Sequence, residues 1–199
     1  MAPPPPDGPA GPWLVVGLGN PGKEYAGTRH NAGALVLDEL ARRVGGSFKV
    51  VKGRRAEALE GRLVGVRVVL AKPSSYMNES GGPVQGLADW FKVGADRLLV
   101  VHDELDVPAG EVRVKTGGGA GGHNGLRDVD RAVGTRDYAR VRVGIGRPPG
   151  RQDPADFVLK DFSAAERKEL PFLLDRAADA VEVVLTEGVA AAQNRFHAP

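Results

Sequence analysis

Four histidines, a knot of acids and three loop asparagines are the side chains in this sequence equipped to move a proton or grip a polar substrate. His30 and Asn20 stand at the two ends of one connection, between the apolar run Trp13, Leu14, Val15, Val16 and a helix with Leu35, Val36, Leu40 and Val44 at helical spacing. His102-Asp103-Glu104-Leu105-Asp106 follows a second apolar run at 98–101. Open α/β sheets place their chemistry at the ends of such strands. Asn78 precedes another helix, and Asn124 closes a loop with six glycines between 117 and 125. A histidine with a carboxylate can act as a general base, as a metal site or as a structural hydrogen-bonding pair, and the residue types alone leave all three open. A metal centre built from His30, His102, His123 and Asp103 is the least favoured, because four scattered histidines form no i, i+4 ligand pair.

Other chemistry is excluded more firmly. The chain has no cysteine, which removes disulfides, thiolate zinc sites and a cysteine nucleophile together. Gly17-x-Gly19-x-x-Gly22 matches the dinucleotide fingerprint in letters. Its mechanism needs the third glycine to open a helix and an acid about 20 residues on, at the end of a second strand. Here Pro21-Gly22 runs into irregular chain, and Asp38 and Glu39 fall inside the first helix. The formal net charge of +2 is mild, but five arginines and one acid between 136 and 151 make a local basic stripe. No run reaches membrane-spanning length and no secretory h-region is present, so a soluble cytoplasmic protein is expected.

The elements that must position these groups suit one α/β domain of 199 residues, a mixed twisted sheet flanked by helices. Residues 1–12 read as a disordered Pro-rich tail and 13–199 as the working domain. Thr28 or Asn31 is expected to cap the first helix. Strand-like runs at 56–63 and 66–71 flank Val64-Gly65 as a hairpin. Pro83 suits the first turn of the next helix and Gly94 its C-terminal cap. Residues 111–115 form a half-exposed strand with Arg113 and Lys115 on one face, and 140–147 a last strand alternating arginine with apolar residues. The glycine loop offers backbone N–H groups to an anion but lacks the Gly-Lys-Ser/Thr ending of a nucleotide P-loop. Ser163-x-x-Glu166 opens a helix that Pro171 is expected to break or kink, and 189–197 forms a final helix.

Side by side, the blocks resemble bacterial-type peptidyl-tRNA hydrolases: Gly17-Leu18-Gly19-Asn20-Pro21-Gly22-x-x-Tyr25-x-x-Thr28-Arg29-His30-Asn31-x-Gly33, Lys72-Pro73-x-x-Tyr76-Met77-Asn78-x-Ser80-Gly81, His102-Asp103-Glu104-Leu105-Asp106, Gly117-Gly118-Gly119-x-Gly121-Gly122-His123-Asn124-Gly125, and Arg142-Val143-Gly144-Ile145-Gly146-Arg147-Pro148. The closing Asn194-Arg195-Phe196-His197 is similar as well, and the likeness covers nearly everything after Pro12. It implies hydrolysis of the ester joining a peptide to the 3′-terminal adenosine of tRNA, by a monomer without a cofactor or metal. It implies that His30 is the base, Asp103 its partner, and Asn20, Asn78 and Asn124 the amides that hold substrate. With no cysteine and no serine in a nucleophile elbow, water is the expected nucleophile. Tyr25 and Tyr76 are expected to stack bases or to wall the cleft, and His123 to be structural or near the RNA. Arg113, Lys115, Arg140, Arg142 and Arg147 are expected to meet acceptor-arm phosphates. The alternative is a non-catalytic RNA-binding module of the same fold.

Overall fold

A computed structural model describes residues 11–197. Residues 1–10 of the expected tail lie outside the described residues, while the Gly11 carbonyl accepts from Arg97 Nη1 at 2.8 Å. A single mixed sheet organises the chain: β1 (Trp13–Gly17), β2 (Lys49–Val51), β3 (Ala56–Leu63), β4 (Val66–Pro73), β5 (Leu98–Glu104), β6 (Val112–Thr116) and β7 (Ala139–Gly144), in the spatial order β2-β3-β4-β1-β5-β7-β6. β1 runs parallel to both β4 and β5, and β5 parallel to β7, whereas β2-β3-β4 and β6-β7 pair antiparallel. The chain leaves β1 for one side of the sheet and later crosses to β5 on the other. The cleft between the C-terminal ends of β1 and β5 is therefore a topological switch point.

Strands with both faces covered read as unbroken apolar runs, and all seven residues of β5 are buried. One face packs on α1 (Ala32–Val44), α5 (Ala164–Glu187) and α6 (Val189–Phe196), the other on α2 (Gly81–Phe91) and α3 (Asn124–Val133). A short helix, α4 (Pro154–Val158), lies between β7 and α5 in sequence. Along β6, the Val114 N–H donates to His197 Nε2 at 2.7 Å and the Val114 carbonyl accepts from Gln193 Nε2 at 3.2 Å, so α6 and the residue after it seal that sheet edge. The opposite edge is β2, where Val50 is 77 % exposed.

The elements differ from the sequence reading in instructive places. β2 was not expected; three residues are too few to display a period. The second hairpin strand continues to Pro73, the strand entering the acid cluster continues to Glu104, and the arginine strand stops at Gly144 rather than 147. α2 ends on Lys92 in the left-handed region at φ 55°, and Gly94, at φ −80°, instead opens a 3₁₀ turn. α5 runs through Pro171: proline removes one bond to the Arg167 carbonyl, and the buried face from Leu173 to Leu185 carries the helix past it. No described helix is long and apolar enough to cross a membrane.

Gly33 fixes how closely α1 approaches the sheet. A Cβ there would run into the Val101 carbonyl and lie 2.9 Å from the Leu18 amide nitrogen, both of them backbone. Gly33→Ala is accordingly expected to destabilise the fold by about 1–3 kcal/mol as α1 is pushed off β1 and β5. Urea unfolding at unchanged m-value reads that loss directly.

Candidate active site

After β1 the chain turns through Asn20 and two 3₁₀ turns, Lys23–Tyr25 and Arg29–Asn31, before α1 begins at Ala32. Gly22 opens no long helix, so the dinucleotide fingerprint is a coincidence of letters, as its surroundings indicated. Neither Thr28 nor Asn31 caps α1 with its side chain. Thr28 Oγ1 donates to the Tyr25 carbonyl, and Asn31 faces back to the first turn. Asn31 Oδ1 accepts from the Asn20 N–H at 2.9 Å and its Nδ2 donates to the Asn20 carbonyl at 3.0 Å. The side chain read as a cap is in fact a brace for Asn20. Asn20 Oδ1 accepts from the Met77 N–H at 2.7 Å, which orients its amide and leaves Nδ2 with no acceptor among the described residues.

His30, on the second 3₁₀ turn, places Nδ1 3.0 and 2.9 Å from the two carboxylate oxygens of Asp103 on β5. His123 Nε2 lies 2.9 Å from Asp103 Oδ1, and its Nδ1 accepts from the Leu126 N–H at 3.2 Å as the N-cap of α3. Because that backbone N–H needs a lone pair, the His123 proton belongs on Nε2, donated to Asp103. His102 Nδ1 donates to the Asp103 carbonyl at 2.7 Å. One buried carboxylate thus accepts from two imidazoles, and His30 Nε2 is bonded to no described residue.

Burial alone would raise the Asp103 pKa, but His30 and His123 outweigh it and hold the carboxyl well below the usual range. For His30 burial pulls the pKa down and the Asp103 charge more than restores it, for a net rise. His102, fully buried beside His123, is pushed down to about 3 and stays neutral. The expectation of four scattered histidines is corrected: His30, Asp103 and His123 put one ligand-type atom each within 4.8 Å of one another. His30 Nδ1 and His123 Nε2 are committed as N–H donors to the carboxylate, and the lone pair left facing the cleft is that of His30 Nε2.

These groups line a cleft of about 120 Å³ with Glu104, Leu105, Gly121, Gly122, Asn124, Pro154, Ala155 and Val158. Asn124 is the exposed first residue of α3, and Asn78 is exposed on the 3₁₀ turn Met77–Glu79. Their chain neighbours pack together, with Met77 Sδ filling the space at Gly125, where a Cβ would sit 2.5 Å from it. In the glycine loop before α3, Gly117, Gly118, Gly121 and Gly122 all take positive φ. Tyr25 and Tyr76 meet edge to face at 6.5 Å, with Tyr76 exposed.

The model of the Peptidyl-tRNA hydrolase family matches residues 14–199. The chain belongs to that family. It is 65 % identical over 187 residues to the peptidyl-tRNA hydrolase of Arthrobacter sp. (strain FB24), covering 93 % of this chain and 96 % of that one. Its identity to the peptidyl-tRNA hydrolase of Kineococcus radiotolerans is 64 %, with 94 % and 98 % covered. The fold superposes on the crystal structure of the peptidyl-tRNA hydrolase from Acinetobacter baumannii with a TM-score of 0.88 at 36 % identity, over 95 % of this chain and 96 % of that one.

The basic residues of this region are less uniformly exposed than an alternating arginine pattern suggests. Arg140 is 0 % exposed: its guanidinium donates to the Gly119 carbonyl at 3.0 Å, to Asp130 at 3.2 Å and to the Arg136 carbonyl at 3.3 Å. The expectation that it meets phosphate is corrected, because α3 and the glycine loop cover its face of β7 and occupy the side chain. Arg113 donates to Glu111 at 2.6 Å and to the His197 carbonyl at 3.3 Å, and Arg147 pairs with Asp106 at 2.7 Å. Arg142, half-buried, is 3.7 Å from Glu104. Lys115 stands beside Gly118, its pKa lowered by burial and by Arg142 and Arg140.

Proposed function

We propose that the protein hydrolyses the ester between a peptidyl or other N-blocked aminoacyl group and the 3′-terminal adenosine of tRNA. The observation that carries this reading is the His30–Asp103 pair on a cleft, with Nδ1–H committed to the carboxylate and Nε2 left with its lone pair. Nε2 takes a proton from water as the water oxygen bonds to the ester carbonyl carbon, forming a tetrahedral oxyanion. Asp103 stabilises the resulting imidazolium without taking its proton. The imidazolium then passes that proton to the departing 3′ oxygen as the acyl C–O bond breaks, releasing peptide and tRNA and restoring neutral His30. Donors for the oxyanion or the peptide backbone come from Asn20 Nδ2, whose oxygen is already committed, and from the exposed amides of Asn78 and Asn124. The decisive experiment is single-turnover release from N-acetyl-aminoacyl-tRNA and from unblocked aminoacyl-tRNA. Release from the blocked substrate alone supports this reading, and tRNA binding without release from either replaces it with a non-catalytic RNA-binding module.

Lys115 and Arg142, with Arg113 beside them, are the groups we assign to acceptor-arm phosphates; such contacts give affinity without sequence readout. Arg142→Glu is expected to raise KM about tenfold at low salt and to flatten its salt dependence, with kcat nearly unchanged. A KM and salt slope like those of wild type would remove Arg142 from the interface.

A further inference from the structure

The family blocks include Arg29, yet neither the base, the oxyanion donors nor the phosphate contacts make use of it. Arg29 directly precedes His30 and is only 7 % exposed. Its Nε and Nη2 donate to the two oxygens of Glu166 at 3.1 and 2.7 Å, and Nη1 donates to the Phe157 carbonyl at 3.2 Å and the Lys160 carbonyl at 3.5 Å. Its guanidinium carbon lies 4.0 Å from the Phe157 ring centre. The main chain repeats the link, with Arg29 N–H donating to the Lys160 carbonyl and Phe162 N–H to the Gly27 carbonyl, both at 3.1 Å.

Each partner has its own task. The carbonyls of Phe157 and Lys160 lie at and just beyond the C-terminal end of α4; each already accepts from a backbone N–H, Lys160 N–H at 3.2 Å and Arg29 N–H at 3.1 Å respectively, and the guanidinium adds a second donor to both. Pro154, Ala155 and Val158 of α4 form one wall of the His30 cleft. Glu166 also accepts from the Ser163 N–H at 2.5 Å, closing the capping box of α5. One guanidinium therefore ties three things together: the turn that carries His30, the end of α4, and the first turn of α5.

We propose that Arg29 is a positioning residue for the hydrolysis. By holding α4 against the His30 turn it sets the cleft wall, and through that wall the aim of His30 and the entry of bulk water. The inference rests on His30 acting as the base. Lysine in its place keeps a charge for Glu166 but loses the planar fork that serves the carboxylate and the carbonyls at once.

The test is Arg29→Lys in the full chain, with wild type, Glu166→Gln and His30→Ala alongside. Steady-state kinetics on N-acetyl-aminoacyl-tRNA and peptide-level hydrogen exchange are the readouts. Arg29→Lys is expected to lower kcat about tenfold or more with KM within about twofold, because misaiming a catalytic group costs turnover rather than binding. Exchange should rise in peptides spanning 154–160 and stay at wild-type levels in the central strands. Glu166→Gln, which leaves both carbonyl contacts in place, should keep most of the wild-type kcat. A folded Arg29→Lys with wild-type kcat overturns the proposal. So does a loss of activity accompanied by raised exchange across the whole sheet, which assigns Arg29 to stability alone. An active His30→Ala would bring down the base assignment instead, a result separable from these because the exchange comparison does not involve catalysis.

Discussion

His30→Ala is expected to release the acyl group from N-acetyl-aminoacyl-tRNA at least about 100-fold more slowly than wild type in single turnover, with tRNA affinity unchanged. A positioned base contributes about two to four orders of magnitude, and neither of the other two imidazoles beside Asp103 is free to take over its role. His123 is the nearest imidazole, with ring centres 4.8 Å apart, but its Nδ1 is bound to the Leu126 N–H and its Nε2 proton to Asp103. His102 is buried and neutral against the Asp103 carbonyl. The pH profile adds an independent check. The base form of His30 is the neutral one and its pKa is raised, so kcat should climb with pH through a midpoint above the ordinary histidine value and level off beyond it. A His30→Ala enzyme within a few-fold of wild type would end the water-activation mechanism.

Asp103→Asn is expected to cost about as much, by a route that preserves the shape of the site. The carboxylate accepts from both imidazoles, whereas an amide offers one acceptor and one donor. Leu126 fixes the proton of His123 on Nε2, so the amide oxygen must take the Oδ1 position facing it. The amide NH₂ then occupies the Oδ2 position, 2.9 Å from His30 Nδ1, while the oxygen at Oδ1, 3.0 Å from the same nitrogen, is engaged by His123. A donor there draws the lone pair to Nδ1 and sends the His30 proton to Nε2, where it blocks abstraction from water. A wrong tautomer with intact geometry is expected to lower kcat by about 10²–10⁴. The ¹⁵N shifts of His30 should report the switch, and the acid limb of the profile should move to lower pH once the carboxylate charge is gone. Retention of both the Nδ1–H tautomer and the rate would show that Asp103 does not govern His30.

Much of this was legible in the sequence, for physical reasons. β1, the centre of β4 and the first half of β5 are buried on both faces and so appear as apolar runs, and glycine and proline mark the turns between them. His30 and Asp103 stood out because each lies at the mouth of such a run. What stayed hidden depends on partners distant in the chain. Arg140 alternates with apolar residues as a surface arginine does, and only the packing of α3 shows that its face of β7 is covered. Asn31 looked like a helix cap because capping is local chemistry, while its actual partner is the main chain of Asn20, eleven residues away. His123 was undervalued because its two roles, N-cap of α3 and donor to Asp103, appear only once α3 is set beside β5. The signal available was its place directly before a helix, where a side-chain acceptor is wanted.

The sealed edge at β6 gives the molecule an odd valence. A sheet with two free edges can add neighbours on both sides and grow without limit, as a bifunctional monomer does. Here His197 and Gln193 occupy the backbone groups of Val114 in the middle of β6, which leaves β2 as the more open of the two edges among the described residues. Two such molecules joined through their β2 edges would consume both reactive ends and stop. Strand addition confined to β2 is thus chain-terminating, and Lys49 and Lys52, on either side of Val50 and Val51, place like charges at that edge.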